Sequence, residues 1–176
     1  AMGGGTVAVS SALSGSDLVS IASIESRLPY GLLAQREIKT IDQLKGKKHA
    51  ISRFGSVADL GSRLILQKYG LVPDKDITLL QIGGTSTRLA ALSKRTVDST
   101  ILTPEFFLVA KKAGFTILVD PTQYKIDFPQ LEVITTRSFL KSRPDVATRY
   151  MRAIVEGIHN YKNDREGSIR ALSKYL

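Results

Sequence analysis

The sequence predicts an α/β fold with mainly parallel sheets, and three observations carry the prediction. Between Lys48 and Val119, short apolar runs alternate with amphipathic stretches of about ten residues, the pattern of strands and crossover helices in a sheet covered on both faces. Three of these runs end in a tight corner from which a helix pattern starts at once: Phe54-Gly55-Ser56, Gly83-Gly84-Thr85-Ser86 and Thr103-Pro104-Glu105. From Leu131 the plan changes to one more strand, Glu132 to Thr136, followed by helix almost to the end. The expected organisation is therefore one continuous α/β unit, residues 36–130, inserted into a second unit made from both chain ends, residues 1–35 and 131–176.

In chain order, Gly3-Gly4-Gly5-Thr6 reads as a loop feeding a short helix that stops near Gly15, and Asp17 to Ala22 as a buried strand. A helix start with no strand before it is an incomplete βαβ unit, so the chain is expected to begin inside a fold. Tyr30 to Gln35 is extended. Thr40 to Gly46 is a turn or two of helix, with Thr40 and Gln43 at capping-box spacing. The helix from Val57 puts Val57, Leu60, Leu64 and Ile65 on one face and ends at Gly70. Asp76 to Ile82 is a strand, Ser86 to Lys94 a helix, and Asp98 to Leu102 a strand. Thr103 caps a helix with Pro104 in its first turn, which runs to Ala113, and Phe115 to Val119 closes the series. Ser138 to Lys141 forms a short turn, Pro144 opens a long helix with Val146, Tyr150, Ile154 and Ile158 in step, and a last helix from Glu166 carries Ile169, Leu172 and Leu176.

The 176 residues, 43% of them hydrophobic, suffice for one sizeable core or two small lobes. No apolar run is long enough to span a bilayer. The absence of cysteine removes disulfides and thiolate chemistry. A net charge of +9 is compatible with nucleic acid, anionic lipid or anionic solutes, but no basic tract interleaved with aromatics appears, so nucleic acid is not an expected partner.

The chemistry is concentrated at the corners. Parallel sheets bind at the C-terminal ends of their strands, where helix starts present N–H donors and partial positive charge. Phe54, Gly55 and Ser56, then Gly84, Thr85 and Ser86, then Thr103 and Glu105 are thus candidate ligand contacts. Ser56 followed by Asp59 has capping-box spacing, so its hydroxyl serves the helix whatever else it meets. Arg88 lies in a first turn, where a cation opposes the helix dipole, and either a ligand or a surface carboxylate is expected to hold it. Glu105 suits a first turn without any ligand. Tyr30 is a candidate for stacking on a flat ligand or for ordinary half-burial. His49 and His159 have no partners at metal-ligand spacing, and no metal is expected. There is no Gly-x-Ser-x-Gly elbow, His-Glu-x-x-His, Walker loop or dinucleotide fingerprint, so neither catalytic residues nor a cofactor are expected.

The run Ile38 to Lys48, Phe54-Gly55-Ser56, and Lys68-Tyr69-Gly70-Leu71-Val72-Pro73-Asp74-Lys75-Asp76-Ile77 resembles the substrate-binding proteins of ABC importers. Within them it is most similar to the NMT1/THI5-like group of sulfonate, nitrate and thiamine-precursor binders. The Gly83 turn, Arg88 to Leu92, Val97-Asp98, Phe139-Leu140 and Pro144-Asp145-Val146 continue the likeness in order. The resemblance implies a type II periplasmic-binding-protein fold, with two lobes joined by two crossing strands and closing on a small polar or anionic solute. In that template Tyr30 to Gln35 and Glu132 to Thr136 take the place of the crossing strands, and Gly4, Gly5 and Thr6 that of a ligand loop in the first lobe. The family's opening strands have no counterpart, so a truncated first lobe is expected. Lys94-Arg95-Thr96 stands where the family usually has a glycine.

The implied partners are a small-molecule solute and a membrane permease. The chain is expected to be a monomer in the periplasm or outside the cell, with a lipid anchor as an option and the targeting segment outside this chain. Two alternatives share the fold: the effector-sensing domain of a bacterial transcription regulator, and a thiamine-pyrimidine biosynthesis enzyme that donates a histidine and a lysine.

Overall fold

In the computed structural model, which describes residues 1–175, the β-prone runs segregate into two sheets of different construction. The elements are β1 (Met2–Gly3), α1 (Gly5–Leu13), β2 (Leu18–Arg27), β3 (Gly31–Ala34), β4 (Lys48–Ile51), α2 (Val57–Lys68), β5 (Thr78–Gln81) and α3 (Thr85–Ser93). They continue with β6 (Ser99–Leu102), α4 (Phe107–Lys112), β7 (Thr116–Val119), β8 (Asp127–Thr136), α5 (Arg137–Ser142), α6 (Pro144–Asn163) and α7 (Arg165–Tyr175). Leu176, which the periodicity assigns to the last helix, lies outside the described residues.

One sheet is five-stranded, in the order β5-β4-β6-β3-β7, and takes in β3 from before residue 36. β4 runs parallel to β5 and β6, and β3 runs against both of its neighbours, β6 and β7. Period-two alternation divides this sheet into two buried faces. Leu32, Ala34, Ile51 and Ile101 pack with Ala58, Ile65 and Leu66 of α2, while Leu33, Ala50 and Leu102 pack with Ala91 and Leu92 of α3 and Phe107 and Ala110 of α4. β3 is buried at all four residues. It is therefore a core strand and not, as the resemblance suggests for residues 30–35, a crossing strand.

The second sheet, in the order β1-β8-β2, is antiparallel throughout, where a mainly parallel one was expected. Its body is the long pair β2 and β8, whose register shifts between Ser20 and Ala22, Ser23 and Glu25, and Glu25 and Arg27. Such bulges bend and twist a ribbon. β2 outruns the buried strand expected over residues 17–22 and is only half-buried, because Ser20, Ser23 and Glu25 alternate with its apolar residues. Helices α5, α6 and α7 follow β8, with Thr136 capping α5 and Pro144 in the first turn of α6. Among the described residues no helix is long and apolar enough to cross a membrane.

Local chemistry accounts for the element ends. Gln43 Oε1 accepts from the amides of Lys39 and Thr40 at 2.6 and 3.2 Å, holding a 3-10 turn where a helix was expected. Arg95 adopts φ +57 just after α3, the left-handed position that favours glycine, and its guanidinium pairs with Glu37 at 2.6 Å. Gln35 is buried, and its amide donates to Val97 O at 3.1 Å and, at 2.7 Å, to Leu92 O in the last turn of α3, which also accepts from the Arg95 amide at 3.1 Å. Gln35→Leu leaves the Val97 carbonyl unpaired, while Leu92 O keeps the Arg95 amide at 3.1 Å, and it is expected to cost about 1 to 2 kcal/mol in urea unfolding.

Candidate functional site

Three helix starts meet around one cavity. β4 ends at Ile51, and Ser52 to Ser56 turn the chain into α2, with Gly55 at φ +74. Ser56 Oγ accepts from the Asp59 amide at 3.2 Å, and Asp59 reaches back to the Gly55 N–H at 2.8 Å rather than to the cap itself. β5 leads through Gly83, at φ +111, to α3, whose cap Gly84 offers no side chain. The third start is α1, capped by Gly4. It abuts α2 so closely that a Cβ on Gly4 would meet Val57 Cγ2 at 2.9 Å.

The open space between these helix starts is about 330 Å³. α1 and its cap contribute Gly4, Thr6 and Val7, and the 52–58 corner contributes Ser52, Arg53, Ser56, Val57 and Ala58. The α3 start contributes Gly84, Thr85 and Arg88, and Tyr30 completes the wall. No aspartate or glutamate is among these residues. A smaller annex of about 200 Å³ shares Thr6, Val7 and Arg53 with it and is also lined by Ser10, Ser11 and Gly55.

Arg88 differs most from expectation. It is 2% exposed and belongs to no surface ion pair. Its Nε donates to Thr100 Oγ1 at 3.2 Å, Nη1 to Gly83 O at 2.9 Å and Nη2 to Ile101 O at 3.2 Å. Neutral acceptors thus hold a cation in a first turn against the helix dipole, and no carboxylate pairs with it among the described residues. Burial pulls its pKa below the ordinary arginine value, but guanidinium retains its charge. The result is a fixed positive charge in the cavity wall, compensated only by dipoles.

Of the residues expected from sequence, Gly4, Thr6, Tyr30, Ser56, Gly84, Thr85 and Arg88 line the cavity, and Gly55 lines the annex. Five others fall outside the cavity and its annex. Gly5 packs on Pro129, and Phe54 is exposed, with its amide donating to Gln81 Oε1 at 3.2 Å. Ser86 lies in the α3 first turn that Gly84, not Ser86, caps. Thr103 does not cap a helix, because its hydroxyl donates to Glu105 at 2.6 Å and a 3-10 turn follows. Glu105 lies near Glu25 instead, where burial first and the Glu105 charge second raise the Glu25 pKa. The corner at residues 103–105 is therefore replaced by α1 as the third wall. Ser52 and Arg53 were missed, although they stand directly between the apolar strand and the Phe54-Gly55 corner.

His49 is sealed in the core, 0% exposed. Ser62 Oγ donates to Ala58 O at 2.7 Å, so His49 Nε2–H donates to Ser62 at 2.8 Å, and Nδ1 accepts from Ser99 at 2.9 Å. Burial, assisted by the Arg88 charge, pushes its pKa down to about 3, and the ring is neutral. Among the described residues no group of three or more metal-ligating side chains gathers. A larger groove of about 690 Å³, lined by Ile21, Leu140, Met151, Val155 and His159 among others, runs between β2, α5 and α6. It is largely apolar and receives none of the three helix starts.

Solved structures share this architecture. The alkanesulfonate-binding protein SsuA of Xanthomonas axonopodis pv. citri, bound to MOPS, matches with a TM-score of 0.81 at 20% identity, over 98% of this chain and 60% of that one. The periplasmic aliphatic sulphonate binding protein SsuA of Escherichia coli matches with a TM-score of 0.78 at 22% identity, over 98% and 59%. A zinc-bound ligand-binding component of an ABC-type import system from Staphylococcus aureus matches at 0.72 and 15%, over 97% and 59%. The fold is thus that of periplasmic binding proteins, and the chain spans about 60% of the length of these relatives. No curated protein sequence matches the chain. The profile of the NMT1/THI5-like family matches residues 3–167, and the chain belongs to that family.

Proposed function

We propose that the chain captures a small organic solute through its anionic head in the cavity at Arg88, as the solute-binding component of an ABC importer. The observation that carries this reading is a nearly fully buried guanidinium with no carboxylate partner, in a cavity that has no acidic residue in its wall. The first-turn amides of α1, α2 and α3 add partial positive charge on the same space. An oxyanion entering there gains charge-assisted hydrogen bonds, while a cation meets only repulsion.

The walls come from both ends of the proposed organisation: α1 from residues 1–35, and the two glycine corners from residues 36–130, with residues 131–176 returning to the first unit. Closure of these units about β2 and β8 would sequester the solute, and a membrane permease would receive it. The chain acts as a monomer, in the periplasm or outside the cell, and uses no catalytic residue. His49 speaks against the thiamine-pyrimidine enzyme, since a histidine held between two serines in the core is out of a substrate's reach.

Thermal shift with propane-1-sulfonate tests the reading. The wild type is expected to gain stability with the logarithm of ligand concentration once that exceeds Kd, and Arg88→Gln to bind at least about tenfold more weakly. Absence of any shift with this and other small organic anions overturns it.

A further inference from the structure

We infer that the solute is a two-headed anion whose second anionic group sits in the annex against Arg53. This rests on the reading of the Arg88 cavity as the seat of the first head. Arg53, Thr6 and Val7 line both spaces, so the annex continues the cavity past the Arg53 side chain. Its wall is made by Thr6, Ser10 and Ser11, three hydroxyl-bearing residues, with Gly55 and Arg53, and Val7 is its single large apolar residue. An alkyl tail placed there would bury polar groups without pairing them, whereas an oxyanion would accept from them.

Arg53 is exposed, and among the described residues its guanidinium has neither a hydrogen-bond nor an ion-pair partner. The acid nearest in sequence, Asp59, is taken by the Gly55 amide and by Arg63 Nε at 2.8 Å. No acidic residue lines the annex either. The joined space thus presents two arginine charges and no compensating carboxylate. A monoanion at Arg88 leaves the Arg53 fork unused, while a short dianion such as a sulfocarboxylate neutralises both and offers carboxylate oxygens to Arg53 in bidentate geometry.

Isothermal titration of 3-sulfopropanoate, propane-1-sulfonate and 2,3-dihydroxypropane-1-sulfonate into the wild type and Arg53→Gln tests this. In the wild type the dianion is expected to bind about fivefold or more tighter than propane-1-sulfonate, an advantage that shrinks below about twofold in Arg53→Gln and falls with salt. Equal affinity of the dianion and the alkanesulfonate, a diol as tight as the dianion, or an advantage that survives Arg53→Gln overturns the inference. Failure of all three sulfonates to bind overturns the anionic-head reading itself. Arg88→Gln separates the two proposals, since it weakens all three ligands alike.

Discussion

Gly5→Ala is expected to lower stability by about 3 kcal/mol or more and to loosen α1 from β8, because the new methyl has nowhere to go. Its carbon would lie 2.2 Å from Pro129 O and 2.4 Å from Pro129 Cβ. Backbone stands on both sides of this contact, the start of α1 on one and β8 on the other, so no flexible side chain can yield. The neighbouring pairing is equally tight: Met2 and Gly3 pair with Val133 and Glu132, and the Ala1 amine donates to Ile134 O at 2.9 Å. Moving α1 also displaces Thr6 and Val7 from the cavity, so anion affinity should fall together with stability. Gly84 is the control, since a Cβ there meets nothing within 4 Å, and Gly84→Ala is expected to cost less than about 1 kcal/mol. Urea unfolding of the two variants decides the matter, and a Gly5→Ala protein as stable as the wild type would contradict this packing.

Acidification is expected to remove up to ~5 kcal/mol of stability through His49 alone. The ring titrates near 6.5 in the unfolded chain, but burial holds it at about 3 in the folded one. Between those values the unfolded state binds the extra proton, so stability falls as pH falls. The contribution is complete above pH 6.5, reduced by ~2 kcal/mol at pH 5 and exhausted near pH 3. His49→Gln keeps a donor and an acceptor for Ser62 and Ser99 and has no proton to gain. Its unfolding free energy should therefore run flatter than that of the wild type between pH 6.5 and 4. Parallel curves would show that His49 already titrates normally in the fold.

The corners at Gly55 and Gly83 were legible because glycine, serine and threonine punctuate them in sequence, and both do take φ above +70 before a helix. The corner at Thr103 carries the same punctuation, yet its hydroxyl is turned onto Glu105 and away from the cavity. The third wall comes instead from α1. That arrangement depends on Gly5 meeting Pro129, a contact between distant parts of the chain that periodicity does not record. Residues 31–34 were misplaced for a related reason: a short apolar run reads the same in any buried strand, and only its pairing with β6 and β7 assigns it to the five-stranded sheet. The far half of β2 was hidden because Ser23, Glu25 and Arg27 look like loop residues until β8 lies beside them. Arg88 reads from sequence as a polar helix position, and its burial follows from where Thr100 and the Gly83 and Ile101 carbonyls sit.

The most direct measurement is an amide NMR titration of the protein with propane-1-sulfonate. Saturable shifts are expected at Thr6 and Val7, across Ser52 to Ala58, and across Gly84 to Arg88, with the Arg88 Nε resonance moving alongside them. Shifts confined to the apolar groove around Met151, Val155 and His159, or no saturable shifts anywhere, would contradict the assignment of the Arg88 cavity as the anion site.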